Sequence, residues 1–296
     1  MKVLNFGSLN IDYVYSLDHF VQKGETISSR SLDIFSGGKG LNQSVALGRA
    51  GAEVYHAGAI GQDGDFLTDI LRDAGVRTEY VRRLSSVRTG NAIIQRDSKG
   101  DNCIILYGGA NQSIEKAQVD ETLDQFSEGD FLVLQNEINE LDYIIDQAYE
   151  KGMMIILNPS PYDKALETCD LKKISLFLVN EIEGFQITGE KEPDRILSVI
   201  REKYPRAGIV LTLGGQGSVY QDETGVYHQG IYKVKAVDTT AAGDTFTGYF
   251  ISSILDGMPP AEGLSLAAKA SAIAVSRPGA TASIPVREEV LKAELA

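Results

Sequence analysis

The sequence has little of what several common enzyme classes require. Its 296 residues include no tryptophan, only two cysteines and only three histidines. The histidines His19, His56 and His228 are scattered and have no convincing partner in sequence, which disfavours a histidine-based triad or a zinc site. Cys103 and Cys169 lie far apart without metal-ligand spacing, so we expect two reduced thiols.

Basic residues and long apolar runs are also scarce. Lys and Arg total 28 against 41 Asp and Glu, and the formal net charge is −13. This balance argues against nucleic acid and anionic membrane surfaces as partners. No apolar stretch approaches the length of a membrane span, and the N-terminal apolar run, which Asn5 interrupts, is too short for a signal sequence. We therefore expect a cytoplasmic protein, and an anionic ligand would need backbone dipoles or a bound cation to offset the negative charge.

Three widespread motifs are missing as well. The sequence contains neither G-x-x-x-x-G-K-[ST] nor H-E-x-x-H. The first predicted strand is followed by Gly7-Ser-Leu-Asn-Ile-Asp12 instead of G-x-G-x-x-G. A P-loop is excluded, and a dinucleotide-binding domain is disfavoured.

Strand and helix patterns alternate along most of the chain. Short apolar runs typical of strands covered on both faces occur at residues 3–6, 54–59, 131–135, 153–157, 176–179 and 209–213. Helical patterns occur at residues 40–50, 65–74, 115–126, 141–151, 193–204, 244–256 and 260–275. The alternation predicts an α/β fold with a mostly parallel central sheet between helices.

Two regions interrupt this alternation. Residues 12–36 and 88–107 hold strand patterns without helices between them, and Asp97-Ser-Lys-Gly-Asp101 is typical of a hairpin turn. These strands cannot all join the parallel sheet. We expect one α/β domain over residues 1–296, with a discontinuous β lid formed by the two regions.

The most informative segment is Asp238-Thr-Thr-Ala-Ala-Gly-Asp244, which runs directly into a helical pattern. Small residues let backbone N–H groups point together at a ligand, and a helix start adds unpaired N–H groups and the positive end of its dipole. Such a terminus holds phosphate-like anions. Asp244 would stand where a base for an attacking hydroxyl is needed. Taken alone, a tight strand-to-helix connection with an N-cap Asp explains the segment equally well.

Other polar and glycine-rich segments follow predicted strands. Asn10 and Asp12 suit vicinal hydroxyls, and the glycines of residues 36–42 permit close approach of the backbone to a polar ligand. The loop within residues 209–218 suits a nucleotide's ribose and phosphates. An Asx turn, a flexible turn and a hairpin-like turn are the respective structural alternatives.

Carboxylates follow two further strands. Asn180 and Glu183 stand one helical turn apart, either facing a metal–phosphate group or forming a capping box. Glu137 is either a ligand-binding carboxylate or a helix-start acid.

The combination and order of these segments resemble the ribokinase branch of the PfkB carbohydrate kinase family, from residue 3 to about residue 288. The matching segments are Gly7-Ser-x-Asn-x-Asp12, Gly37-Gly-Lys-Gly-x-Asn42, Gly108-Gly-Ala-Asn111, Asn158-Pro-Ser-Pro161, Asn180-Glu-x-Glu183, Thr212-Leu-Gly-x-x-Gly217, Asp238-Thr-x-Ala-Ala-Gly-Asp244 and Ser276-Arg-Pro-Gly-Ala280. The resemblance implies a three-layer α/β/α fold with a small β-sheet lid. It also implies ATP-dependent phosphorylation of the primary hydroxyl of a pentose, first of all D-ribose to ribose 5-phosphate.

The resemblance also implies roles for individual residues. Asp244 would be the catalytic base, with an anion hole at Ala241, Ala242 and Gly243. The sugar site would take Asn10, Asp12, Gly38, Lys39, Asn42 and Glu137. The nucleotide site would take Asn180, Thr212, Gly214, Gly215 and Gly217, with Glu183 helping to hold Mg²⁺ through water. A monovalent cation, K⁺, would lie at Asp238, Thr240, Ala274, Arg277, Gly279 and Ser283. A homodimer would form through the lid.

Two rival functions stay open at this point. Asn91 stands where the family has an apolar lid residue over the sugar, which leaves room for a related kinase acting on fructose, a deoxy sugar or a nucleoside. A non-catalytic sugar or nucleotide sensor on the same scaffold is the alternative from another class, although pure binding has no need of a base.

Overall fold

The computed structural model describes residues 1–295 of the chain. Its strands are β1 (Val3–Phe6), β2 (Asn10–Ser16), β3 (Ser31–Gly37), β4 (Val54–Ile60), β5 (Arg77–Arg83), β6 (Gly90–Arg96), β7 (Asn102–Tyr107), β8 (Phe131–Gln135), β9 (Met154–Asn158), β10 (Leu176–Asn180), β11 (Gly208–Thr212), β12 (Ser218–Gln221) and β13 (Val226–Gln229). Its α-helices are α1 (Lys39–Arg49), α2 (Asp65–Asp73), α3 (Lys116–Leu123), α4 (Leu141–Glu150), α5 (Glu181–Thr188), α6 (Pro193–Lys203), α7 (Ala242–Leu255), α8 (Pro260–Val275) and α9 (Arg287–Lys292). None of the helices within residues 1–295 is long and apolar enough to cross a membrane.

A large, mostly parallel sheet forms the centre of the molecule. Within the described residues it has nine strands in the order β13-β12-β11-β10-β9-β8-β1-β4-β5. The strands from β11 to β5 pair in parallel, whereas β12 and β13 pair antiparallel. Val3 packs into the hydrophobic cluster on one side of the sheet, and Leu4 and Phe6 pack into the cluster on the other side. Helices cover both faces, so the predicted three-layer α/β/α fold is confirmed.

The regions without helices form a separate sheet of four strands within residues 1–295, in the order β3-β2-β6-β7. Strands β2 and β6 pair in parallel and the other neighbours pair antiparallel. The predicted turn joins β6 to β7, and the Asp97 carboxylate accepts hydrogen bonds from the N–H groups of Lys99 and Asp101. The separate small sheet is therefore confirmed, and its strands lie within the two predicted regions apart from Asn10, Ile11 and Gly37 at their ends.

The predicted elements of the large sheet and its helices differ from the observed ones by at most three residues at any end, as 115–126 does from Lys116–Leu123. The sequence patterns missed β5, β13, α5 and α9. The loop after residue 212 leads to glycines and also turns back into β12, so the hairpin-like alternative describes its backbone correctly.

Helices α1 and α7 pack closely because glycines lie between them and their neighbours. A Cβ on Gly248 of α7 would stand 2.4 Å from Ala46 Cβ and 2.8 Å from Leu47 N, both on α1. A Cβ on Gly40 of α1 would stand 2.3 Å from Ser8 N, in the loop that follows β1. Only glycine fits at these two positions, and the N-terminal ends of α1 and α7 therefore meet at the carboxyl edge of the sheet.

Replacing Gly248 with Ala tests this packing. An alanine usually stabilises a helix interior relative to glycine, by about 1 kcal/mol. Here the added methyl overlaps α1, so we expect Gly248→Ala to lower the free energy of unfolding by about 1–3 kcal/mol. Chemical denaturation measures the change. Gly230→Ala is the control, since nothing lies within 4 Å of its Cβ position, and a Gly248→Ala protein as stable as the parent would contradict the close contact.

Candidate functional site

The turn before α7 has an unusual backbone conformation. Ala241, the N-cap residue of the helix, is buried in the left-handed region with φ of 59°, which non-glycine residues rarely adopt. The N–H groups of Gly243 and Asp244 belong to the first turn, where the helix offers no carbonyl partner. The N–H of Ala242 instead donates to Thr239 O at 3.2 Å. Of the predicted anion-hole donors, Gly243 is therefore the best placed to receive an anion.

The carboxylate of Asp244 is held from α1. Asn42 Nδ2 donates to one oxygen, Oδ2, and Gln43 Nε2 donates to the other, Oδ1, each at 3.0 Å. The Asp244 residue is only 9% exposed. Both carboxylate oxygens thus accept a hydrogen bond from a neutral amide, which fixes the orientation of the group.

A second carboxylate, Glu137, lies beside the start of α1. It accepts hydrogen bonds from the Ser8 hydroxyl and, at 2.9 Å, from the backbone N–H of Lys39. Burial raises the pKa of Glu137, against the lowering effect of the positive Lys39 side chain. Glu137 is not in the first turn of the helix that follows it, α4, which begins at Leu141, and its carboxylate instead accepts from the first residue of α1.

Asp12, on strand β2 of the small sheet, is a third carboxylate of the site. A Cβ on Gly37 would lie 2.2 Å from Asp12 Oδ2, so the glycine makes space for this side chain. Burial, and secondarily the charge of Glu137, raises the pKa of Asp12 to about 6. Asn10 on the same strand accepts a hydrogen bond from Asn111 Nδ2 at 2.7 Å.

Lys39 is the positive group at the centre of these acids. Burial by itself lowers the pKa of Lys39, but the charges of Asp244, Glu137 and Glu183 together outweigh it and raise the pKa above its usual value. Lys39 therefore stays charged and partly neutralises the cluster.

Two cavities meet at the start of α7. The first has a volume of about 260 Å³ and is lined by Lys39, Asn158, Ser160, Leu178, Val179, Asn180, Glu183, Thr212, Thr239, Ala241, Ala242, Gly243, Asp244 and Thr247. The second has a volume of about 500 Å³ and is lined by Thr212, Gly214, Gly215, Gly217, Gly230, Ile231, Tyr232, Lys233, Val234, Ala236, Thr239, Ala242, Gly243, Phe246, Ala268, Ser271, Ala272 and Val275. They share Thr212, Thr239, Ala242 and Gly243.

Asn180 and Glu183 form the predicted capping box and also line a cavity. Asn180 Oδ1 accepts from the Glu183 N–H and Glu183 Oε2 accepts from the Asn180 N–H, each at 2.9 Å, which is a capping box at the start of α5. The same two residues line the smaller cavity. Carboxylate and amide oxygens on this wall are the donors that Mg²⁺ prefers, so the residues fit a magnesium ion held through water.

The predicted cation residues gather beside the same turn. Asp238 accepts from the N–H groups of Thr240 at 2.8 Å and Gly279 at 3.0 Å. Burial acts to raise the pKa of Asp238, but these hydrogen bonds outweigh burial and lower it. Ala274 O already accepts from the Arg277 N–H at 3.1 Å, and the Ser283 hydroxyl donates to Ala280 O. The structure therefore joins Asp238 directly to Thr240 and Gly279, whereas Ala274 lies in the last turn of α8 and Arg277 and Ser283 follow that helix.

Sequence patterns did not single out Gln43, Ser8 or Thr239. Ser8 lies inside the quoted Gly7–Asp12 segment and Gln43 directly follows the quoted Gly37–Asn42 segment, which is the signal that was available. Thr239 was inside the quoted Asp238–Asp244 segment without a role, and the structure places it on the wall of both cavities.

Comparison with known proteins gives full-length matches. The model of the pfkB family carbohydrate kinases matches residues 1–287. A ribokinase from Staphylococcus aureus is 34% identical over 299 residues, which cover 98% of this chain and 98% of that protein.

Solved structures agree with the sequence matches. A ribokinase from Arabidopsis thaliana complexed with ribose and ATP superposes with a TM-score of 0.87 at 28% identity, covering 98% of this chain and 97% of that one. A ribokinase from Cryptococcus neoformans in complex with ADP has a TM-score of 0.86 at 31% identity, with 98% and 99% covered. The chain belongs to the pfkB family of carbohydrate kinases, and it is a phosphotransferase that acts on an alcohol acceptor.

Proposed function

We propose that this protein is a ribokinase that transfers the γ-phosphoryl group of ATP to the primary hydroxyl of D-ribose and forms ribose 5-phosphate. The observation that carries the proposal is that Asp244 lines the smaller cavity together with Thr212 and accepts a hydrogen bond from Asn42, a residue of the predicted sugar site. The Staphylococcus aureus relative that matches over its full length is a ribokinase, and the Arabidopsis thaliana ribokinase was solved with ribose and ATP.

The sugar would lie between the large sheet and the lid. Asp12, Glu137 and Asn42 supply acceptors and donors for vicinal hydroxyls at the carboxyl edge of the sheet. Phe35 and Leu106 are exposed by 45% and 64%, and they occupy the face of the small sheet that carries Asp12. Closing this face over the sugar would bury both side chains and exclude water from the transferring phosphoryl group.

The chemical step needs one proton transfer. Asp244 would accept the proton of the ribose primary hydroxyl while the oxygen of that hydroxyl forms a bond to the γ-phosphorus of ATP. The bond from the γ-phosphorus to the oxygen that bridges it to the β-phosphate breaks, and ADP leaves. In a loose transition state the proton can move late, so positioning and charge stabilisation supply most of the catalysis. The Gly243 N–H, at the positive end of α7, would stabilise the charge that develops on the transferring group.

The larger cavity would receive the adenosine part of ATP. Its walls are mostly apolar and contain Phe246, Val234, Ala268 and Val275. Thr212 and Gly243 line both cavities, so phosphates extending from this cavity would reach Asp244 and Lys39 in the smaller one.

Cations would complete the charge balance. Mg²⁺ bound near Glu183 and Asn180 would neutralise the β- and γ-phosphates. Asp238 and the carbonyl-rich turns around Gly279 would hold K⁺ behind the anion hole, so we expect turnover to be greater in K⁺ than in Na⁺. The residues fit both ions in kind, since all of these donors are oxygen atoms.

The lid offers a surface for a second copy of the chain. Three isoleucines form a row across the small sheet, because Ile34 and Ile93 both pair with Tyr13 and Ile93 also pairs with Ile105. The side chains of Ile34, Ile93 and Ile105 are 56%, 38% and 60% exposed. Strand β7 also leaves one edge without a partner strand, which invites pairing. We infer a homodimer formed through the lids, with each lid belonging to one continuous kinase domain.

The use of ATP points to a cytoplasmic enzyme.

A panel of acceptors tests the proposed substrate. Asn91 is half-buried in the lid, and its amide donates to Thr89 O at 3.2 Å, so a polar side chain stands where the family has an apolar one. We still expect the highest kcat/KM with D-ribose in a coupled assay of ADP release that includes 2-deoxyribose, fructose and nucleosides. Faster turnover of a nucleoside or of fructose would indicate the related kinases, and ribose binding without ADP release would indicate a sensor.

The Asp244→Asn variant tests the base. The asparagine retains the size of the side chain but cannot accept the hydroxyl proton, so we expect kcat to fall by about 10²–10⁴-fold. ATP affinity measured by calorimetry should stay nearly unchanged. Asp69→Asn, on the exposed face of α2, is the control for loss of one negative charge. Turnover close to that of the parent would remove Asp244 from the base role.

The pH dependence of ribose use tests the Asp12 assignment. The ionised carboxylate accepts hydrogen bonds from sugar hydroxyls, and its pKa of about 6 places it in this form at neutral pH. We expect kcat/KM for ribose to be halved near that pKa and to fall about tenfold per pH unit below it, because kcat/KM reports the groups of the free enzyme. In Asp12→Asn the inflection should disappear. A parent profile that is flat through this region would contradict the role of Asp12.

A further inference from the structure

The carboxylate of Asp244 is the last member of a line of buried side-chain amides. Gln43 Nε2 donates to Asp244 Oδ1 at 3.0 Å, and Gln43 Oε1 accepts from Gln135 Nε2 at 2.7 Å. Gln135 Nε2 also donates to Asn5 Oδ1 at 3.0 Å. We call Asn5, Gln135 and Gln43 the amide chain. These residues are 0%, 0% and 1% exposed.

A backbone carbonyl sets the direction of the amide chain. Asn5 Nδ2 donates to Gly40 O at 2.8 Å, and a carbonyl oxygen can only accept. The Asn5 oxygen must then face Gln135, which has to present its N–H₂ group. Gln43 in turn presents its oxygen to Gln135 and its N–H₂ group to Asp244. The donor at Asp244 Oδ1 is therefore fixed through three amides from one carbonyl.

The amide chain links rigid elements that are distant in sequence. Asn5 lies on β1, Gln135 ends the neighbouring strand β8, and Gln43 lies on α1. A Cβ on Gly7 would meet Gln135 Oε1 at 2.4 Å, so this glycine leaves space for the glutamine. Within the described residues the buried Gln135 Oε1 has no hydrogen-bond partner, so the direction of the amide chain is set by the Gln135 N–H₂ group, which donates to both Asn5 and Gln43. Strands in the centre of the sheet thus determine how the carboxylate on α7 is oriented.

We propose that Gln43 is a positioning residue that holds the Asp244 carboxylate in its reactive orientation, with Gln135 and Asn5 fixing the Gln43 amide. This inference rests on the proposed function, because it assigns Gln43 an effect on turnover that passes through Asp244. The second contact of the Gln43 amide, with Asn158 Oδ1, is longer at 3.4 Å. Asn42 holds the other carboxylate oxygen, so Gln43 supplies the second of two fixed points.

Replacing Gln43 with Met tests the proposal. Methionine has a similar length but cannot donate, so the carboxylate is free to rotate about its remaining contact with Asn42. We expect kcat to fall by about 10- to 100-fold, while KM for ribose and for ATP changes by no more than about twofold. Gln118→Met is the matched control, because Gln118 is also buried, at 3% exposed, and its amide donates to the backbone carbonyls of Gly58 and Tyr80 on β4 and β5. We expect this control to lose stability but to retain the parent kcat.

A double variant separates positioning from general damage. If Gln43 acts through Asp244, then adding Gln43→Met to Asp244→Asn should leave the residual kcat unchanged, although the two single variants each lower it. A purely structural effect would lower kcat by the same factor in both backgrounds and would overturn the proposal.

The Gln43→Glu variant gives a readout that folding defects do not move. It retains the size of the side chain and places a carboxyl group beside the Asp244 carboxylate. Two carboxylates at this distance cannot both ionise freely. In a plot of kcat against pH, we therefore expect the fall of kcat on the acidic side to occur at a pH about one unit or more higher than in the parent. An unshifted profile, or a Gln43→Met kcat equal to that of the parent, would refute the role of Gln43. If the parent itself releases no ADP with any acceptor, the proposed function fails, and that result is distinguishable from either.

Discussion

The close approach of α1 to α7 is the constraint on which the site depends. Gly40 lets α1 begin against the loop after β1, and Gly248 lets α7 lie against α1. Because the two helices start at the same edge of the sheet, amides on α1 reach a carboxylate on α7 that is more than two hundred positions away in sequence. A methyl group at Gly248 would push the two helices apart, and one at Gly40 would push α1 away from the loop after β1. The orientation of Asp244 therefore depends first on how closely the two helix backbones pack, and second on the side-chain hydrogen bonds that this packing permits.

The site contains positive groups that oppose the negative charge of the whole chain. The protein has a net charge of −13, and Asp12, Glu137, Glu183 and Asp244 surround the two cavities or the entrance from the lid. An anionic ligand can enter only where this field is offset. Lys39 and the N-terminal end of α7 provide positive groups from the protein itself, and bound cations would provide the rest. Burial is the main reason that the pKa values of Asp12 and Glu137 rise, whereas the pKa of Asp238 falls because hydrogen bonds from Thr240 and Gly279 outweigh its burial.

Much of the fold was predictable, because strands covered on both faces, such as β8, are continuous apolar runs. Strand β5 was missed because its sequence, Arg-Thr-Glu-Tyr-Val-Arg-Arg, carries charges that fit an exposed edge strand as well as a loop. Motifs predicted which residues gather at α7, since small residues and glycines mark close backbone approach. The amide chain was not predictable. Asn5 reads only as an interruption and Gln135 only as a strand end, and their connection to Asp244 exists once β1, β8 and α1 are adjacent.

The central claim is that the Asp244 carboxylate takes the proton of a sugar hydroxyl at the start of α7. The most direct measurement is a crystal structure of the protein with D-ribose and a non-hydrolysable ATP analogue bound together. We expect an Asp244 carboxylate oxygen to lie about 2.6–3.2 Å from the ribose primary hydroxyl, with the terminal phosphorus on the far side of that hydroxyl oxygen. A complex with both ligands ordered but with the hydroxyl beyond direct or single-water reach of Asp244 would contradict it.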